Sequence, residues 1–414
     1  MSSRPIAEDE RIVYLDNAAT TPLDPRVRAR MLDWLGCDAG FGNPASAHEL
    51  GRSAAAEVER ARAQVATLLN AAPAEIVWTS GATESNNLAI LGAARAAGER
   101  RGRRIITLRS EHASVLEPCR QLAREGFELV ELPVAADGVL DLGQLAEALR
   151  ERTCLVSIGA VNNESGVRQP LPEIAALVKA QGALLHVDAV QAAGRLPLDV
   201  GIGVDLMSLS AHKVYGPKGV GALFVRRQPR VRLQPLLYGG GQEFGLRPGT
   251  VAVHQVAGMG EAFQLAAGAL ETEPGRLAEL KQRLWHGLQD LEGVLLNGRT
   301  DGAPHILNVA FVGVHGEALA AELPRLAASA SSACTSAQGG MSHVLRAMGV
   351  PEQLAHASLR LSVGRFTLEQ DVDLAVEWIA SAVRHLRAFS PVWRAWRTGV
   401  PLDMLYGGRS ADAA

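Results

Sequence analysis

Val204-Asp205-Leu206-Met207-Ser208-Leu209-Ser210-Ala211-His212-Lys213 is an apolar run that closes on a lysine, and Ala183-Leu184-Leu185-His186-Val187-Asp188-Ala189 is a second that closes on a carboxylate. Neither alternates as a strand with one wet face would, so both read as strands buried on two faces. The same texture extends outward from them. Residues 75–79, 104–108, 155–159 and 221–225 are further strand candidates, and Ala/Leu/Arg/Glu-rich segments at 84–99, 114–125, 142–151 and 171–181 separate them as helices. Strands alternating with helices predict an α/β fold with a mostly parallel sheet covered on both sides. Ligands of such sheets sit beyond the carboxyl ends of the strands. Most polar motifs of this chain follow a strand.

After residue 262 the pattern changes to a Leu/Glu/Arg-rich helix at 276–291, a strand within 303–311 and a helix near 369–388. We therefore expect a large domain over 16–262 and a smaller α+β domain made of 1–15 with 263–389. The remaining segment, 390–414, holds Trp393, Trp396, Leu402, Met404, Leu405 and Tyr406, too aromatic for a purely solvated tail. It is either a terminal helix packed on the small domain or a docking segment for a partner.

Composition narrows the function classes. The chain of 414 residues is 47% hydrophobic and 21% charged, a globular balance. A formal net charge of −3 with no basic block speaks against direct nucleic-acid binding. No apolar stretch reaches membrane-spanning length, and the polar, acidic N-terminus has no secretory core, so a cytoplasmic protein is expected. Cys37, Cys119, Cys154 and Cys334 form no Cys-x-x-Cys pair, which argues against a zinc site or disulfide framework. Three of them read as small buried hydrophobes. Cys334 instead lies in Ser329-Ala330-Ser331-Ser332-Ala333-Cys334-Thr335-Ser336-Ala337-Gln338-Gly339-Gly340, the composition of an exposed loop. A thiol there is a nucleophile if something takes its proton, and otherwise an inert surface group.

The strand ends suggest a chemistry. A lysine amine that forms a Schiff base and an aspartate that keeps a pyridine nitrogen protonated are what pyridoxal phosphate requires, and Lys213 and Asp188 supply them. Ser210 and His212 are placed to donate to a phosphate. Thr79-Ser80-Gly81-Ala82-Thr83-Glu84 hands a strand to a helix, with small residues that let an anion approach the helix N-terminus. His112 follows another strand, and Asn163 lies in Val161-Asn162-Asn163-Glu164-Ser165-Gly166. Arg360 and Arg365 lie in a strand-like setting where either is a carboxylate fork. Read singly, each fragment also describes an ordinary strand end, helix cap or surface arginine.

Taken together the motifs resemble the cysteine desulfurases among fold-type I pyridoxal-phosphate enzymes, of the housekeeping iron–sulfur-assembly type. The resemblance rests on Tyr14–Pro22, Phe41–Ser46, Thr79–Asn87, Val161–Gly166, His186–Gln191, Ser210–Lys213, Arg247–Thr250, Ser332–Ser336 and Arg360–Arg365 and spans nearly the whole chain. It implies Lys213 as the Schiff-base lysine, His112 as ring-stacking acid and base, Asp188 at the pyridine nitrogen and Gln191 at the phenol oxygen. It implies Ala82, Thr83, Ser210 and His212 around the phosphate, with Thr250 reaching in from a second copy in a homodimer. Asn163 and Arg360 would hold the carboxylate of L-cysteine, and Cys334 would receive its sulfur, pass it to a scaffold protein and other acceptors, and serve as a transient cluster ligand. No resident metal is expected. Departures are small: Ala211, Val190 and Ser165 stand where glycine, threonine and isoleucine are frequent. Selenocysteine lyase and an inactive interaction module are the competing readings; Cys334 on its loop weighs against the first, and retention of Lys213 and Cys334 against the second.

Overall fold

The computed structural model describes residues 11–37, 40–330 and 340–407. A short strand β1 (Val13–Tyr14) opens it. Then come β2 (Ile76–Thr79), β3 (Arg104–Leu108), β4 (Glu128–Leu132), β5 (Leu155–Gly159), β6 (Leu184–Asp188), β7 (Leu206–Ser210) and β8 (Gly221–Val225). Among the described residues these seven form one sheet in the order β2-β8-β7-β6-β5-β3-β4. β8 runs antiparallel to β2 and β7, and the pairs among β7, β6, β5, β3 and β4 are parallel. The mostly parallel sheet expected from sequence is therefore present.

Successive residues of each central strand face opposite cores, which is why the strands read as predominantly apolar runs without strict alternation. Ile105, Leu155, Leu184, Leu206 and Leu223 pack with helices Ala82–Arg101 and Ala113–Arg124. Ile106, Val156, Leu185, Met207 and Phe224 pack on the other side with Glu49–Leu68, Leu171–Ala180 and Val253–Ala269. The buried His186 joins three strands by pairing with Ser157 Oγ and Ser208 Oγ at 2.8 and 2.9 Å. Burial lowers its pKa to about 3, so it is a neutral structural rung.

A second sheet follows, built from β9 (Val294–Leu296), β10 (Ile306–Phe311), β12 (Ser329–Ala330) and β13 (Ser358–Ser362), with the short β11 (Leu326–Ala327) before β12. Its four antiparallel strands run β12-β13-β10-β9, while β11 pairs in parallel with β1. Helices Glu273–Gln289 and Glu369–Ala388 cover it over a core that includes Val13, Leu15, Leu284, Phe311 and Ile379. The N-terminal strand therefore packs with the small sheet.

The last described residues form helices Pro391–Arg397 and Leu402–Tyr406. Trp393 and Trp396 stack with ring centroids 5.0 Å apart, and the Arg387 guanidinium lies 3.8 Å from the Trp393 centroid. Gly313 N donates to Tyr406 Oη at 2.7 Å. The aromatic residues that made this segment conspicuous are thus largely spent on packing. Met404, and Phe389 just before the segment, are exposed at 76% and 74%.

Candidate active site

The carboxyl ends of β2, β3, β5, β6 and β7 open onto a cavity of about 610 Å³. Each polar motif reaches it because its strand stops there. Asp188 is the last residue of β6, and its Oδ2 accepts from Asn86 Nδ2 at 2.8 Å while Oδ1 accepts from Val190 N at 3.1 Å. Two neutral donors thus hold the carboxylate in place. Lys213 follows β7 by one short 3-10 turn, and its Nζ donates to Ala18 O and Ala19 O at 2.6 and 2.7 Å.

His112 caps helix Ala113–Arg124: its Nδ1 accepts from Ser114 N at 3.1 Å and pairs with Ser114 Oγ at 2.8 Å. Because Nδ1 accepts a backbone N–H, the neutral ring carries its proton on Nε2. Burial pushes its pKa down, opposed by Asp188. Ser114 Oγ also accepts from Asn86 Nδ2 at 2.8 Å, so one amide ties the histidine to the aspartate. His212, its pKa lowered to about 4 by burial and then by Lys213 and Lys218, is likewise neutral, with Nδ1 3.1 Å from Thr20 Oγ1.

Gly81 stands at φ 152° with no heavy atom within 4 Å of where a Cβ would be, leaving open space before helix Ala82–Arg101. The first-turn N–H groups of that helix, at Ala82 and Thr83, have no intrahelical acceptor and suit an anion. Ser210 and His212 line the same region. A carboxylate, an amine and an anion cradle in one cavity are the donor set pyridoxal phosphate needs. The residues fit the group.

The opposite wall comes from the small sheet. Arg360, on β13, donates from Nη2 to Asp16 Oδ1 and Ser329 Oγ, each at 2.8 Å, and from Nη1 to Asn163 O at 3.0 Å. Asn163 and Gln191 also line the cavity. Gln191 Nε2 donates to Ala18 O at 2.8 Å, and its Oε1 lies 3.4 Å from His305 Nε2.

Nearly all the expected residues therefore meet: Ala82, Thr83, His112, Asn163, Asp188, Gln191, Ser210, His212, Lys213 and Arg360 line one cavity. Thr250 is not among its lining residues and is exposed. Arg365 is directed elsewhere, into ion pairs with Asp24 and Glu273. Cys334 lies outside the described residues. Its flanks are tied to the cavity walls: Ser329 to Arg360, Ser342 Oγ to Glu164 Oε2 at 2.6 Å, and His343 Nε2 to Glu111 O at 2.7 Å.

Sequence reading did not single out Asn86, Ser114, Asp16 or a role for Glu111. Glu111 is wholly buried, accepts from Gly159 N at 2.9 Å, and has its pKa raised to about 8 by burial, with Asp188 adding to the effect. Asn86 sits four residues after Ala82, one helical turn on, which is the one sequence signal that it shares the cavity-facing side.

Comparison with known proteins points the same way. The aminotransferase class-V family profile matches residues 13–374. A cysteine desulfurase IscS of Salmonella schwarzengrund is 50% identical over 396 residues, covering 95% of this chain and 98% of that protein. A solved NifS-like protein superposes with a TM-score of 0.84 at 36% identity, covering 90% of this chain and all of the other. A solved structure of SspA in complex with cysteine superposes with a TM-score of 0.76 at 35% identity, over 86% and 99% of the two chains.

Proposed function

The chain belongs to the class V aminotransferase family, and from that premise we propose how its cavity converts L-cysteine into L-alanine and transferable sulfur. It is a pyridoxal-phosphate-dependent cysteine desulfurase serving iron–sulfur cluster assembly. The observation that carries the assignment of roles is the meeting of Lys213, Asp188, the start of helix Ala82–Arg101 and Arg360 around one cavity.

Bound there, pyridoxal phosphate supplies a carbonyl carbon open to amines and a ring that withdraws electrons from a substrate's α-carbon. Asp188, fixed by Asn86 and Val190, would hold a protonated pyridine nitrogen, and Gln191 the phenol oxygen. Ala82, Thr83, Ser210 and His212 would hold the phosphate. Arg360 and Asn163 bind the α-carboxylate of cysteine. Lys213 Nζ, oriented by two backbone carbonyls, moves the α-proton. His112 holds its proton at Nε2, ready for the carbon that loses sulfur. Cys334 as thiolate attacks the substrate sulfur: an S–S bond forms, the C–S bond breaks, and the Cβ takes up a proton to give alanine.

Thr250, exposed and outside this cavity, is available to the phosphate site of a second copy, which supports a homodimer. We assign residues 16–262, 1–15 with 263–389, and 390–414 to three units, the last offering Met404, together with Phe389 at the end of the small domain, to a scaffold protein. Cys334 would also be the transient cluster ligand. Among the described residues no helix is long and apolar enough to cross a membrane, and a cytoplasmic location is part of the same reading.

The test is to incubate the enzyme with L-cysteine, quantify alanine, and map protein persulfide by mass spectrometry. Equal alanine and bound sulfur in a single turnover, with the sulfur on Cys334 and none after Cys334→Ser, is the expected result. Persulfide on Cys37, Cys119 or Cys154 would overturn the assignment.

A further inference from the structure

Arg360 reaches the cavity with its guanidinium already engaged. Nη2 has two hydrogens, and both have acceptors, Asp16 Oδ1 and Ser329 Oγ at 2.8 Å each. Nη1 gives one hydrogen to Asn163 O at 3.0 Å. Nε is buried with no hydrogen-bond partner among the described residues. A carboxylate grips a guanidinium with two prongs either through Nη1 with Nη2 or through Nε with Nη2. Both forks need Nη2, so an incoming carboxylate meets one already in place.

Asp16 does not depend on Arg360 alone for its position. Ser329 Oγ donates to the same Oδ1 at 2.8 Å, and the backbone of Asp16 forms a parallel bridge with Ser362, two residues beyond Arg360 on β13. The arginine side chain is 4% exposed and the aspartate 22%, so the pair is shielded from the water that makes surface pairs weak.

We infer that Asp16 is a positioning residue that competes with the amino-acid carboxylate for Arg360 Nη2 and thereby sets how tightly substrate and product are held. The inference rests on the reading that Arg360 binds that carboxylate. Substrate cysteine and product alanine share the group, so the competition loosens both alike. An effect common to bound states moves KM and leaves the chemical step untouched. It keeps alanine from lingering.

The test uses the holoenzyme. Asp16→Asn keeps the shape and one acceptor oxygen but removes the charge. The Kd of L-alanine by titration calorimetry and the KM of L-cysteine should fall together by about tenfold, near the net worth of one charge-assisted hydrogen bond, with kcat no higher. Cysteamine, which lacks the carboxylate, should bind as before. Ser329→Ala vacates the other acceptor with no change in charge and should tighten alanine by about threefold; it decides the matter if Asp16→Asn does not fold. Unchanged or weaker alanine binding in a folded Asp16→Asn protein would overturn the inference. Arg360→Lys separates the two levels. If alanine binding ignores that change, the carboxylate reading itself fails; if it weakens while Asp16→Asn does not tighten, only the competition is wrong.

Discussion

The wall of the cavity formed by the seven-stranded sheet and the wall formed by β12 and β13 treat their polar groups differently. On the large-sheet side, Asp188 is held by the amide of Asn86 and a backbone N–H, and His112 by Ser114. Lys213 is oriented by backbone carbonyls. Neutral partners fix these groups without cancelling their charge, which suits an occupant that stays. On the small-sheet side Arg360 faces a full opposite charge in Asp16. That arrangement is exchangeable, and it suits an occupant that comes and goes. The difference is one of permanence, and it can be broken experimentally.

The largest effect should come from the permanent wall. Lys213→Ala removes the attacking amine and a proton carrier, and alanine formation should drop by at least roughly 10²–10⁴-fold, the share of proton transfer alone. Near wild-type turnover would erase the distinction between the walls. Arg360→Met strikes the exchangeable side. It should raise KM for L-cysteine by roughly 10²-fold while kcat moves far less, as the loss of a desolvated charge partner predicts. A collapse of kcat with KM unchanged would show that both walls act on the reacting atoms.

Glu111 gives a pH test of the large-sheet wall. Its folded pKa of about 8 stands above the ordinary 4.5, so the native state keeps a proton that the unfolded chain has lost. Its contribution is complete below the ordinary value and declines as pH rises toward and through 8. Asp188 faces it, with His112 beside it in the sequence. Glu111→Gln should therefore lose less thermal stability than wild type between pH 6 and pH 9, read as the difference in Tm. Parallel curves would show that the carboxyl ionises without cost. The smallest effect is expected far from both walls: Trp393→Ala should cost about 1–3 kcal/mol of stability, the size of a partly buried aromatic truncation, with turnover intact. A matching loss of turnover would tie the C-terminal helices to the cavity.

Much of this was legible in the chain. Six of the seven large-sheet strands stand out because a strand buried on both faces is mostly apolar on both. β4 does not, since it is an edge strand whose Glu128 is exposed and Glu131 half-buried, and edges tolerate charge. The early helix Glu49–Leu68 was also missed, its Ala, Arg and Glu giving no marker beyond general helical composition. The cavity residues that follow strands were found because topology alone places them. Asp16, Asn86 and Ser114 were not assigned roles, because their importance lies in which partner they meet, and partners distant in sequence leave no local trace. Thr250 was expected at the phosphate of a second copy, and its exposed position here leaves that expectation to the dimer.

The contact between Asp16 and Arg360 joins residues 344 positions apart in the chain. During synthesis at about 5–20 residues per second, Asp16 waits roughly 20–70 s before its partner exists. β1 waits nearly as long for β11, and Val13 and Leu15 remain without their core meanwhile. The large sheet, whose strands span residues 76–225, waits less: β2 meets β8 after about 145 residues, roughly 7–30 s at the same rate. On the ribosome this protein therefore completes its cofactor-holding half first, with an apolar N-terminal strand still unsheltered. That strand is where a chaperone has the longest time to act and where aggregation of nascent chains should begin.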